Sequence, residues 1–160
     1  MQSFFPDIQR PDRKVQELAQ KHLDSLTKPP GSLGRLEELA RNFCVMRGSA
    51  DLVLKKRAIF TFAADHGVSR SGVSAYPREV TAQMVLNFIR GGAAINVLCR
   101  HYGIDNIVVD AGVDHNFGDL QGLVNRKVAR GTENFLERPA MTKEQAMASY
   151  CLMWTGPACS

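Results

Sequence analysis

The stretch TFAADHGVSRSGVSAYPREVTAQM, Thr61–Met84, decides the fold. It opens as the end of an apolar run, RAIFTFAA over Arg57–Ala64, rich in residues that favour strands. Such a run reads as a short strand buried on both faces, as in parallel sheets. It stops at Asp65-His66-Gly67. A glycine- and serine-rich loop follows from Val68 to Pro77, and Pro77 suits the first turn of a helix. Val80, Met84, Phe88 and Ile89 are spaced as that helix's buried stripe. Gly91-Gly92 interrupts, and a further helix over 93–102 is expected to end at Gly103. Asn106–Asp110, NIVVD, reads as the next strand, with a weaker one near Val124–Val128. The order strand, loop, helix, helix, strand implies a crossover and adjacent parallel strands. The expected class is α/β, a parallel sheet with flanking helices.

Upstream, Asp12 can cap a helix over 13–27, with Val15, Leu18, His22 and Leu26 on one face. Lys28-Pro29-Pro30-Gly31 ends it, because proline lacks the donor and restricts the residue before it. Ser32 can cap a second helix that carries Leu36, Leu39, Phe43 and Met46 on one face and closes at Gly48. These two helices read as an αα-hairpin or as part of a small bundle. Downstream, Thr142-Lys143-Glu144-Gln145 has capping-box form and should start another helix. The last residues, CLMWTGPACS, are uncharged and are expected to continue that helix for only about two turns. The expected division is 1–50 helical, 51–149 α/β, and 150–160 a tail of different character.

The composition narrows the function. With 160 residues and 44% hydrophobic content the chain has material for one real core. Its 20 basic residues give a net charge of +4 but are scattered, so no basic face for nucleic acid is expected. No uncharged apolar run approaches the ~18 residues of a membrane span. The opening MQSFFPDIQR is not a signal peptide, and the cytoplasm is the expected compartment. Cys44, Cys99, Cys151 and Cys159 include no C-x2-C pair, so neither a metal site nor a cofactor is expected. Cys44 and Cys99, set among apolar residues, read as core.

Both strands end in similar punctuation, Asp65-His66-Gly67 and Asp110-Ala111-Gly112-Val113-Asp114-His115. On parallel neighbours these ends share one rim, where open α/β folds bind ligands. Carboxylates and imidazoles there can bind a metal, move a proton or hydrogen-bond a sugar. Equally, the acids can hold turn amides and the histidines can be structural. Tyr76 before Pro77, with Gln83 and Met84 on the next helix, can line an apolar slot for a flat ring. There is no G-x-G-x-x-G and no P-loop.

LTKPPGSLGRLEELA, ADHGVSRSGVSAYPREVTAQMVLNFIRGGAAINVL, VVDAGVD and VARGTENFLERPAMTKEQA occur here in that order. Together they resemble the nicotinate-nucleotide–dimethylbenzimidazole phosphoribosyltransferase family over roughly residues 10 to 149. The resemblance implies a Rossmann-like α/β domain with a smaller helical domain, here an incomplete fold. It implies transfer of phosphoribose from nicotinate mononucleotide to 5,6-dimethylbenzimidazole, and a homodimer. It places Ser74, Tyr76, Pro77, Gln83 and Met84 in the benzimidazole pocket, with Asp65, His66 and Asp110 on the same rim as further substrate-binding candidates. No catalytic residue is carried over. The family's Glu-Leu-Gly segment, phosphate-binding loops and general-base glutamate lie downstream of the matched region. Similarity fades near Ser149, as a shifted reading frame, an early end or a diverged terminus would produce. Two other readings stand beside this one: a non-catalytic module for a base or partner chain, and a metal-dependent hydrolase using Asp65, His66, Asp110 and His115.

Overall fold

The computed structural model describes residues 10–154. The described residues divide into two compact units, one ending at Lys55 and one beginning at Lys56.

The first unit is the expected helical hairpin. Helix α1, Arg13–Ser25, is capped by Asp12, whose carboxylate accepts the Lys14 amide at 2.8 Å. Helix α2, Arg35–Arg47, closes at Gly48 with φ of +64°. Its cap is not Ser32, because Gly34 occupies that position with no side-chain cap. The buried stripes also differ from expectation. Val15, Ala19 and Leu23 are buried on α1, while Leu18 is 56% exposed. On α2 Cys44 and Glu37 are buried, and Leu36, Leu39 and Met46 face outward. A two-helix hairpin buries only the seam between its helices. Here Val15, Ala19 and Cys44 fill that seam, with Leu52 against them.

The buried acid explains the Lys28–Gly31 turn. Glu37 Oε1 accepts Lys28 Nζ at 2.8 Å and the Leu33 amide at 3.1 Å, stapling the proline turn to α2. Lys28 first, then the Leu33 amide, hold the Glu37 carboxyl below its ordinary 4.5. A carboxyl whose folded pKa is depressed stabilises the fold above its unfolded pKa and loses that contribution as pH falls through the folded value. Acid unfolding followed by circular dichroism from pH 7 to roughly 3 should therefore be steeper in the parent than in Glu37→Gln. Equal slopes would show that the staple contributes nothing.

The second unit is the expected α/β layer. Strand β1 is Ala58–Ala64, β2 is Asp105–Gly112 and β3 is Leu123–Asn125. All pair in parallel, in the order β1-β2-β3. Helices α3, Glu79–Arg90, and α4, Ala94–Tyr102, make the crossover between β1 and β2. The left-handed Gly91, φ +80°, ends α3 and breaks the apolar segment Glu79–Tyr102 into two short helices. Val85, Val108 and Val113 form the centre of the core, with Ala63, Phe88 and Ile89 packed on it. Met84, expected in the buried stripe, is 38% exposed, and Val85 takes the inward position.

β1 departs most from expectation. Among the described residues it is an edge strand, and Ile59, Phe60 and Phe62 are 37%, 56% and 45% exposed. Phe60 and Phe62, two residues apart, share one face. Their rings lie 6.4 Å apart. Among the described residues, the core cluster with α3 lies on the other side, where Ala63 joins it. Near-continuous apolarity identified the strand but not the number of covered faces. Helix α5, Lys143–Trp154, starts with the expected capping box: Gln145 N–H donates to Thr142 Oγ1 and Thr142 N–H to Gln145 Oε1. It runs for 12 residues through Ser149 and takes in residues 151–154 of the tail, about one turn, within the two turns expected. The rest of the tail, with Cys159, lies outside the described residues.

Candidate functional site

The carboxyl ends of β1 and β2 do share one rim. Pairing slips there: Ala63 faces Asp110, but Ala64 faces Gly112. A bulge of this kind re-aims the chain at a strand end. Asp65 is then fixed through its backbone. Its N–H donates to Gly112 O, and its carbonyl accepts the Thr132 amide, both at 3.0 Å. Its carboxylate is buried, and Oδ2 accepts the Asp114 amide at 2.7 Å. Asp114 Oδ2 in turn pairs with Arg78 Nη2 at 3.1 Å. The acid ending β1 thus orders the loop after β2, and that loop holds an arginine at the start of α3.

Asp110 turns inward, 2% exposed. Oδ1 accepts the amides of Gly112 and Val113 at 3.1 and 2.8 Å, and Oδ2 pairs with Lys127 at 3.0 Å. Both oxygens are engaged at the turn and with Lys127, and Asp110 lines not the slot described next but a smaller cleft of about 290 Å³ with His115, Phe117 and Lys127. Among the described residues, no group of three or more His, Cys, Asp or Glu side chains is placed to hold a metal ion. Of the four donors named for a hydrolase, Asp65 shares one cleft with His66 and another with His115, and Asp110 borders a third with His115, so the four do not meet in one space.

A slot of about 510 Å³ opens between the end of β1, the 3₁₀ turn Gly67–Ser71 and α3. Its walls are chiefly apolar, with Val73, Val80, Met84 and Phe88 among them. Ser74, Tyr76, Pro77, Met84, Asp65 and His66 all line it. The Ser74 hydroxyl is engaged locally: it donates to Tyr76 O at 3.0 Å and accepts the Tyr76 amide at 3.2 Å, which fixes the turn into Pro77. Gln83 does not join them. It faces a neighbouring cleft of about 350 Å³ with Asp65, Glu79, Asp114 and His115. One residue along a helix rotates a side chain by about 100°, which separates Gln83 from Met84. Arg78, which sequence reasoning passed over, lines both spaces. Its only sequence signal was its place directly after Pro77.

A parallel α/β layer with an apolar slot and charged clefts at its carboxyl rim defines a small-molecule-binding domain of Rossmann-like type. Residues 8–152 match the family described as Phosphoribosyltransferase, and the chain belongs to that family. Its curated relatives include nicotinate-nucleotide–dimethylbenzimidazole phosphoribosyltransferases. That of Geobacter metallireducens is 57% identical over 89% of this chain, and that of Geobacter sulfurreducens 60% over 86%. A crystal structure of the enzyme so named from Thermus thermophilus superposes with a TM-score of 0.80 at 47% identity, covering 86% of this chain and 42% of that one. The chain spans about 40% of the length of the curated relatives it matches.

Proposed function

We propose that this chain carries the base-binding part of a phosphoribosyltransferase. The reaction moves phosphoribose from nicotinate mononucleotide to 5,6-dimethylbenzimidazole, releasing nicotinate and giving α-ribazole 5′-phosphate, a step in assembling the lower ligand of cobalamin. The observation that carries this is the apolar slot of about 510 Å³, lined by Tyr76, Pro77 and Met84 as the resemblance implies. A flat bicyclic base fits such a space, held by shape and apolar contact while one edge meets the rim. The neutral ring nitrogen attacks the anomeric carbon as the bond to nicotinate breaks, its electron pair returning to the pyridine nitrogen. The other ring nitrogen then loses its proton. Holding the two reactants in line supplies much of such a rate enhancement. The proposal extends to a homodimer and a cytoplasmic location for the complete enzyme.

The proton acceptor separates this reading from a non-catalytic base-binding module. Asp65 is the carboxylate lining the slot, and one of its oxygens is committed to the Asp114 amide. That favours binding without turnover by these residues alone.

The slot is testable directly. Thr81 lines it from α3. Titration calorimetry with dimethylbenzimidazole should show Thr81→Trp, which fills the space, binding at least about tenfold more weakly than the parent, as expected when a flat apolar ring loses its contacts. Gln83→Ala, in the neighbouring cleft, should bind the base normally. Undiminished binding by Thr81→Trp would move the base elsewhere.

A further inference from the structure

We propose a second ligand site in this chain: an oxyanion cleft, taking a phosphate monoester or a carboxylate, between the 3₁₀ turn Gly67–Ser71 and the segment 129–138. The cleft encloses about 390 Å³ and carries four arginines, Arg70, Arg78, Arg130 and Arg138. Two acids line it as well, Glu133 and Glu137. Both acids are engaged: Glu133 pairs with Arg138 at 3.5 Å, and Glu137 accepts from Asn134 Nδ2 at 2.9 Å. Arg78 is held by Asp114, which lies outside this cleft. Arg70 and Arg130 have no acidic partner among the described residues. Arg70 and Arg130 outweigh Glu137, whose charge is hydrogen-bonded only by a neutral amide, so the charge left unpaired in the cleft is positive on balance. A planar guanidinium fork matches an oxyanion in geometry as well as charge.

The Arg78 Nε is buried with no hydrogen-bond partner among the described residues, and its side chain borders this cleft, the slot and the cleft beside it.

The frame is rigid where a binding site needs it. The Gly67 amide donates to Thr132 Oγ1 at 3.2 Å, and the Thr132 amide to Asp65 O at 3.0 Å. Asn134 Nδ2 donates to Ser71 Oγ at 3.0 Å, joining the two walls, and the Glu133 amide donates to Ala140 O at 3.0 Å. Preorganised walls reduce the ordering cost of binding. Arg78 lines both this cleft and the apolar slot, so the two sites share a wall. The cleft stands on its own residues, whatever base the slot takes.

The test uses the whole chain and inorganic phosphate, titrated by calorimetry against chloride at equal ionic strength. Saturable binding is expected, weakened at least about tenfold in the Arg70→Ala/Arg130→Ala double variant, as for loss of charged hydrogen bonds. Both residues are exposed and lack acidic partners, so the unfolding midpoint in chloride should not move. The Arg70→Lys/Arg130→Lys pair keeps the charge but loses the fork, and should fall between. Nicotinate, run alongside inorganic phosphate, distinguishes a carboxylate from a phosphate as the preferred group. Phosphate binding no stronger than chloride, or equal in the parent and the alanine pair, would mean an adventitious ion only and overturn the site. Dimethylbenzimidazole binding on the same samples reports on the slot alone, so the two readings fail separately.

Discussion

Gly67→Ala should destabilise the α/β unit by about 3 kcal/mol, the upper end of what overpacking costs. The cause is steric. A Cβ at position 67 would lie 2.5 Å from Asn134 N and from Glu133 C, and 2.6 Å from Thr132 O. All three are backbone atoms in a segment held by its own hydrogen bonds, so no side chain can swing aside. The clash would push segment 132–134 off the end of β1 and break the Gly67 amide's bond to Thr132 Oγ1. Thermal unfolding should shift down by roughly 12–24 °C, given 4–8 °C per kcal/mol for a unit near this size. The same variant should lose phosphate binding in the arginine cleft, because one wall of that cleft is the displaced segment. A midpoint within about 2 °C of the parent would show that the segment yields freely.

That contact also marks a limit of sequence reading. β1, β2 and the crossover helices were legible because apolar runs and helical spacing are local signals. The Thr142–Gln145 capping box and the Asp12 cap were legible for the same reason. The position of 129–138 against Gly67 was not, because it depends on a contact between residues about 65 apart with no periodicity to announce it. Nor could the pattern tell how many faces of β1 are covered. Phe60 and Phe62 read as core by composition, and only the placement of the helices shows them exposed. Within the site, Tyr76, Pro77 and Met84 line one slot. Gln83 went to another cleft because a helix turns faster than a motif suggests. Arg78 was missed because an arginine after a proline looks like surface charge until its aspartate, 36 positions on, is seen beside it.

Asp110 offers the clearest test of whether a rim acid serves the ligand or the fold. Asp110→Ala should destabilise by about 3–5 kcal/mol, the cost of breaking a buried ion pair from one side. The alanine leaves Lys127, 19% exposed at its side chain, without its carboxylate, and strands the Gly112 and Val113 amides. Asp110→Asn should fall between, because an amide oxygen can still accept from Gly112 and Val113 while the charge opposite Lys127 is lost. Lys127→Met, paired with Asp110→Ala, should cost less than the sum of the two single changes, since neither charge then remains unpartnered. Urea unfolding of the four variants measures all of this. A ligand-facing acid would behave differently: its removal would leave stability near the parent and weaken binding. If Asp110→Ala unfolds like the parent and instead loses dimethylbenzimidazole or phosphate affinity, the acid belongs to the site after all. The loop from Gly112 to His115 would then need another anchor, and Asp65, already bonded to the Asp114 amide, is the group in place to provide it.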